Sequence, residues 1–187
     1  MRVVAGTLRG RPLATPRHEG VRPTADRVRE SVFNVLAHGI DHFSIEGARV
    51  IDLFAGTGAL GIEALSRGAA YCLFVEDAAE ARALIRTNIE TFGLTGVSKI
   101  FRRDATDLGP AGTMAPFSLA FLDPPYGKGL GERALSALAR GHWLEPGAIV
   151  VLEEARGMSV TLPAGFDKLD TRHYGDTQIV FARHTRQ

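Results

Sequence analysis

Hydrophobic positions change their spacing along the chain, and those changes divide it into elements. From Arg2 to Leu13, two short extended runs flank Gly6 and Gly10, which predicts a β-hairpin. A loop carrying Pro12, Pro16 and Pro23 follows it. Val28, Val32, Val35 and Leu36 then recur at helical spacing behind Thr24, a residue type that caps helix starts. An amphipathic helix is therefore expected over residues 25–38, with Arg27, Arg29 and Glu30 on its polar side.

Beyond position 48, apolar runs alternate with helical stretches. The pattern predicts a strand to Phe54, a glycine turn, a helix to Arg67, a strand Tyr71–Val75 and a long helix over 78–92. A short strand at 99–101, a strand Phe117–Leu122, a helix Leu130–Arg140 and a strand at 148–152 continue the alternation. Two last extended runs, 168–174 and 178–183, meet at Gly175-Asp176 and form an antiparallel pair. The expected fold is α/β: a doubly wound, Rossmann-like parallel sheet ending in an antiparallel pair, with helices on both faces and ligands at the carboxyl ends of the strands. The whole 187-residue chain is expected to be a single domain, residues 1–40 forming an appended hairpin and helix and residues 48–187 the core.

Composition changes this picture in two places. No apolar run approaches the roughly 20 residues of a membrane span, and Arg9 and Arg11 interrupt the start where a signal peptide would be apolar, so a soluble, cytoplasmic protein is expected. Cys72, the single cysteine, sits in an apolar run and is read as a buried thiol in a reducing setting. The net charge is only +1, but Arg2, Arg9, Arg11, Arg17, Arg22, Arg27 and Arg29 face only Glu19 and Asp26 in the first 29 positions. That bias suits a polyanion-binding surface, the plainer alternative being a solvated basic edge. The six histidines lack metal-ligand spacing, so no metal is expected.

The strongest local signal is the run Val50 to Gly61, in which a buried strand enters Gly56-Thr57-Gly58 and Gly61 follows at a helix start. Such glycines permit a sharp turn, close backbone approach to a ligand, and tight helix packing on the strand. The motif alone also fits dinucleotides. Asp52 tips the balance, because a carboxylate there would repel a pyrophosphate and suits a sulfonium with an α-amino group. Glu76, with Asp77 second, ends the next strand where a ribose diol would bond. Asp104 and the Ala105 amide are candidates for adenine recognition, and Phe54 and Thr57 complete the candidate S-adenosylmethionine site.

Asp123-Pro124-Pro125-Tyr126 follows another apolar strand. Paired prolines fix an extended turn without donors. The exocyclic amine of a nucleobase is a weak nucleophile, its lone pair being delocalised into the ring. A site must therefore accept its N–H bonds, and the Asp123 carboxylate and Pro124 carbonyl can do so. The Tyr126 ring can stack on a base held outside its helix.

Together these residues resemble the bacterial 16S rRNA guanine-N2 methyltransferase family, RsmD type, over nearly the whole chain. Gly6 to Leu13 looks like that family's opening hairpin, and Arg22 to Phe33 looks like its helix start. Asp52 to Gly61 and Asp123 to Tyr126 also fit. The resemblance implies a class I methyltransferase fold, S-adenosylmethionine as donor, and transfer to a guanine of small-subunit rRNA, position 966, during subunit assembly, by a protein acting as a monomer. Carried over by position, Asp52, Gly56, Gly58, Glu76 and Asp104 bind cofactor, Asp123, Pro124, Pro125 and Tyr126 hold guanine, and Arg9, Arg11, Arg22 and Arg27 contact RNA phosphates. Alternatives are a DNA adenine-N6 or cytosine-N4 methyltransferase, a protein-glutamine methyltransferase, a nicotinamide oxidoreductase, and a non-catalytic RNA-binding module.

Overall fold

A computed structural model describes residues 1–18 and 23–185. Arg22, one of the proposed phosphate contacts, lies outside them. The elements are α1 (Pro23–His38), β1 (Arg49–Leu53), α2 (Ala59–Ser66), β2 (Tyr71–Val75), α3 (Ala79–Thr91), β3 (Ser98–Phe101), β4 (Phe117–Leu122), α4 (Leu130–Arg140), β5 (Leu144–Ala155), β6 (Phe166–Tyr174) and β7 (Thr177–His184). A short 3-10 turn, Thr95–Val97, leads into β3. The seven strands form one sheet in the order β3-β2-β1-β4-β5-β7-β6, parallel throughout except for β7, which runs antiparallel to both β5 and β6. Chain order reverses between β1 and β4, so a crevice opens at their carboxyl ends.

The sheet alternates its side chains between two apolar layers. Val50, Phe74, Leu119, Phe121, Val151 and Phe181 face a cluster filled by Val32, Phe33 and Leu36 of α1, Ile62 and Leu65 of α2, and Ile85 and Ile89 of α3. Ile51, Leu53, Val75, Ala120, Leu122 and Leu152 face the other, filled by Leu135 and Leu138 of α4 and by Trp143. Three helices thus cover one face and one covers the other. Gly61 lets α2 approach β2: a methyl there would come within 2.5 Å of the Phe74 ring and 2.6 Å of the Cys72 sulfur. Cys72 is fully buried. Among the described residues, no helix is long and apolar enough to cross a membrane.

The opening residues form a shorter hairpin than expected, a clasp with one antiparallel bridge, Arg2 to Pro12, flanked by the Leu13 amide on the Met1 carbonyl and the Val3 amide on the Arg11 carbonyl, both at 3.0 Å, and closed by the Gly10 amide on the Val3 carbonyl at 2.8 Å. The clasp goes no further because the chain turns onto α2, where Glu63, wholly buried, takes the Val4 amide at 2.8 Å and the Ala5 amide at 3.3 Å. Arg29 departs from its predicted place on the polar side of α1. It is 4% exposed and reaches Glu63 at 3.3 Å, Asp26 at 3.1 Å and the Arg2 carbonyl. A buried guanidinium needs such partners, and Glu63 is near enough to supply them. Residues 1–40, read as an appendage, therefore share the core of the sheet's helical face. Helix α1 begins at Pro23, two residues ahead of the expected start.

Candidate active site

The crevice predicted by the strand order is present as a cleft of about 1020 Å³. Asp52, Phe54, Gly56 and Thr57 wall one side, Asp123, Tyr126 and Glu153 another, and the β6–β7 turn, Tyr174 to Thr177, closes the rim. Parallel register explains the meeting: Leu53 pairs with Leu122 and Leu122 with Leu152, so Asp52, Asp123 and Glu153 stand near the ends of three adjacent strands and open onto one cavity. A smaller hollow of about 330 Å³, between His42, Phe43 and Glu145, lies at the opposite end of the strands and contains none of the predicted site residues.

The glycine turn is held from three directions. The Glu76 carboxylate accepts the Gly56 amide at 3.0 Å and the Ala78 amide at 3.3 Å. The buried Asn88 amide donates to the Thr57 carbonyl at 3.0 Å while its oxygen accepts the Ala14 amide at 2.7 Å, so one side chain ties the turn to the N-terminal segment. Asp52 accepts the Gly61 amide at 3.0 Å and thereby satisfies one open donor of the first turn of α2. Phe54 adopts φ 57°, a left-handed conformation costly for a bulky side chain. At Gly56, φ is 58° and an added methyl would meet no atom nearer than 4.0 Å, so the backbone is open to the cleft. Gly58, φ 80°, behaves differently: an added methyl would lie 3.2 Å from Phe74, so this glycine serves the turn and the helix packing rather than the cleft wall.

Burial is the largest influence on the Asp52 carboxyl and, reinforced by the Glu76 charge against the opposing Gly61 hydrogen bond, pushes it up to about 8. Asp104 is less available than the sequence suggests: it is exposed, and one oxygen accepts both the Thr106 amide at 2.8 Å and the Thr106 hydroxyl at 2.7 Å. Those bonds hold its carboxyl below the ordinary range. Ala105 is buried against the α4 face. Neither residue lines the cleft; Glu76 stands at its edge, bonded to the lining residues Gly56 and Ala78.

At the proline corner, water reaches Asp123 through the cleft, yet protein is packed densely around its carboxyl. Burial, then the facing Glu153 and Asp52 charges, raises it well above the usual carboxylate range. The neighbouring acids that contribute are fixed in place by strand register. The Tyr126 hydroxyl bonds to Glu153 Oε1 and lies 3.0 Å from the Thr177 hydroxyl. Tyr126 is 41% exposed, so its phenol is anchored while part of its ring is open. Glu154 accepts the Gly127 amide at 3.0 Å and the Ala155 amide at 2.7 Å, which pins the loop that follows. Pro124 is buried and Pro125 exposed.

Among the predicted phosphate contacts, Arg9, Arg11 and Arg27 are exposed. Arg11 is already engaged: its guanidinium lies 4.7 Å above the Phe92 ring and donates to the Thr91 carbonyl at 3.1 Å. Sequence reasoning passed over Glu63, Asn88, Glu153 and Glu154. Nothing local marks the acidic pair at the end of β5, and only the register with β4 sets Glu153 beside Asp123.

The family model described as Conserved hypothetical protein 95 matches residues 1–183. The chain belongs to this family. Its relatives include Ribosomal RNA small subunit methyltransferase D of Escherichia coli, 38% identical over 168 residues, covering 89% of this chain and 81% of the relative. The protein of that name from Haemophilus influenzae is 33% identical, covering 94% and 89%. Among solved structures, the Escherichia coli protein named Putative methyltransferase yhhF superposes with a TM-score of 0.83 at 30% identity, covering 100% of this chain and 99% of that one. Membership and fold together make the chain an S-adenosylmethionine-dependent class I methyltransferase.

Proposed function

We propose that the chain transfers a methyl group from S-adenosylmethionine to the 2-amino nitrogen of a guanine in 16S rRNA, acting as a cytoplasmic monomer on the assembling small subunit. The names of its relatives support the RNA class, and the family resemblance supports guanine. The observation that carries the chemistry is the shared cleft, into which Asp52 and the glycine turn open from one side and Asp123 and Tyr126 from the other.

The residues fit the cofactor. Gly56 leaves its backbone bare toward the cleft, Asp52 offers a buried acid for a cationic group, and Glu76, already bonded to Gly56, keeps lone pairs for a ribose diol. S-adenosylmethionine would supply a methyl on a sulfonium, the donor leaving as a neutral thioether, and the methylated nitrogen sheds one proton to water. Asp123 and the Pro124 carbonyl accept the hydrogens of the amine, which frees its lone pair from the ring. The open part of the Tyr126 ring stacks on the base, and its anchored hydroxyl keeps that ring in place. Holding amine and methyl in line is the main contribution, worth several kcal/mol when well oriented. Arg9 and Arg27 meet phosphates.

The test is transfer from a methyl-labelled donor to purified small-subunit rRNA, small-subunit particles, duplex DNA and protein. Label confined to RNA and recovered as N2-methylguanosine supports the reading, and label in N6-methyladenine or N4-methylcytosine of DNA replaces it.

A further inference from the structure

An Asp-Pro-Pro-Tyr corner grips an exocyclic amine without reading which base carries it. The base is distinguished by the ring position beside the amine. Guanine presents N1–H there, a donor next to the two hydrogens of its 2-amino group. Adenine and cytosine present a bare lone pair next to theirs. A site with one acid accepts all three, whereas a site with two adjacent acids accepts guanine and repels the others.

Two adjacent acids are present. Leu122 of β4 is in parallel register with Leu152 of β5, so Asp123 and Glu153 are the next residues on neighbouring strands, and both line the cleft. Glu153 is fixed there: the Tyr126 hydroxyl bonds to Oε1, the Thr177 hydroxyl holds the phenol from behind at 3.0 Å, and the following residue, Glu154, is bound to the Gly127 amide. We propose that Glu153 selects guanine by accepting its N1–H while Asp123 and the Pro124 carbonyl hold its 2-amino group. This rests on the methyl transfer proposed above and adds the residue that chooses the base.

Electrostatics point the same way. Burial, and then the facing Glu153 and Asp52 charges, raises the Asp123 carboxyl, so the corner favours donors over a further acceptor. A guanine edge brings two donors in a row against the two acids, while an adenine edge puts a lone pair against Glu153. An acceptor left facing a lone pair is a strong basis for rejection, since a site built to bond an N–H disfavours an analogue lacking it by far more than a missing methylene does.

The experiment uses the full chain with small-subunit RNA synthesised to carry either guanine or 2-aminopurine at the methylated position, assembled into particles if naked RNA is inert. 2-Aminopurine keeps the 2-amino group but has a lone pair at N1. The wild type is expected to prefer guanine in kcat/KM by roughly 10- to 100-fold, the range of one hydrogen bond to a charged group. Glu153→Gln keeps an oxygen for Tyr126 and can turn its amide N–H toward N1, so it loses most guanine transfer and narrows or inverts the preference. Equal use of the two bases by the wild type overturns the proposal, with no variant needed. So does a folded Glu153→Gln protein that keeps the wild-type ratio. Absence of any guanine methylation by the wild type instead overturns the proposed function, so the two failures are distinguishable.

Discussion

The Glu76 carboxylate accepts the Gly56 amide at 3.0 Å and so joins the end of β2 to the turn that follows β1. One acid therefore shapes the glycine turn, and it is the acceptor proposed for the ribose. Its removal should cost donor affinity more than fold stability. For Glu76→Ala, calorimetry with S-adenosylhomocysteine is expected to show a dissociation constant raised about 10- to 100-fold, the equivalent of roughly 1.5–3 kcal/mol, with unchanged far-UV circular dichroism.

Asp52 gives a pH dependence whose sign is fixed by its surroundings. Its carboxyl is raised from 3.8 to about 8, so the folded chain keeps a proton that the unfolded chain gives up. The associated stability is complete below about 4 and is lost as pH rises toward 8. Relative to Asp52→Asn, the ligand-free wild type should lose stability across that window, by at most about 1.4 kcal/mol per pH unit. Urea unfolding of both proteins at pH 5, 6.5 and 8 measures this, and a difference that stays flat with pH would show that Asp52 is ionised throughout.

Glu63 holds the clasp, α1 and α2 together from a fully buried position. Glu63→Ala leaves Arg29 buried without its main partner and should cost about 3–5 kcal/mol in urea unfolding, toward the lower end because Asp26 remains. Replacing both residues with apolar ones of similar volume should cost less than the single change.

Arg9, Arg11 and Arg27 are all exposed, and Arg11 alone of the three also contacts Thr91 and Phe92. Charge removal at Arg9 or Arg27 should weaken RNA binding without loss of stability and lower the slope of log affinity against log salt by roughly 0.7–0.9 for each phosphate that is no longer neutralised. Arg11→Ala should also lower the melting temperature, which separates packing from phosphate binding.

The parallel core was readable because its strands are buried on both faces and so appear as largely apolar runs, Val50 to Phe54 and Phe117 to Leu122 among them, interrupted only by Asp52 and Ser118. The glycine turn and the proline corner were readable because their backbone geometry demands particular residues. Arg29 was misread because helical periodicity assigns any arginine to solvent and cannot see the acid on α2 that draws it inward. The hairpin is shorter than the sequence suggests, because the amides of Val4 and Ala5 go to a side chain 58 or more positions away. Glu153 carried no local signal at all. Its place beside Asp123 depends on the pairing of two strands about thirty residues apart, and that pairing is a property of the folded sheet.

Methylation of a small-subunit guanine in one cleft, walled by the turn after β1 and the corner after β4, stands or falls on the nucleosides of 16S rRNA. Mass spectrometry should compare cells lacking the gene with the same cells complemented by the wild type or by Asp123→Ala. One N2-methylguanosine should disappear on deletion, return with the wild-type chain and stay absent with Asp123→Ala. Full restoration by Asp123→Ala, or an unchanged methylguanosine content after deletion, would refute the proposed function.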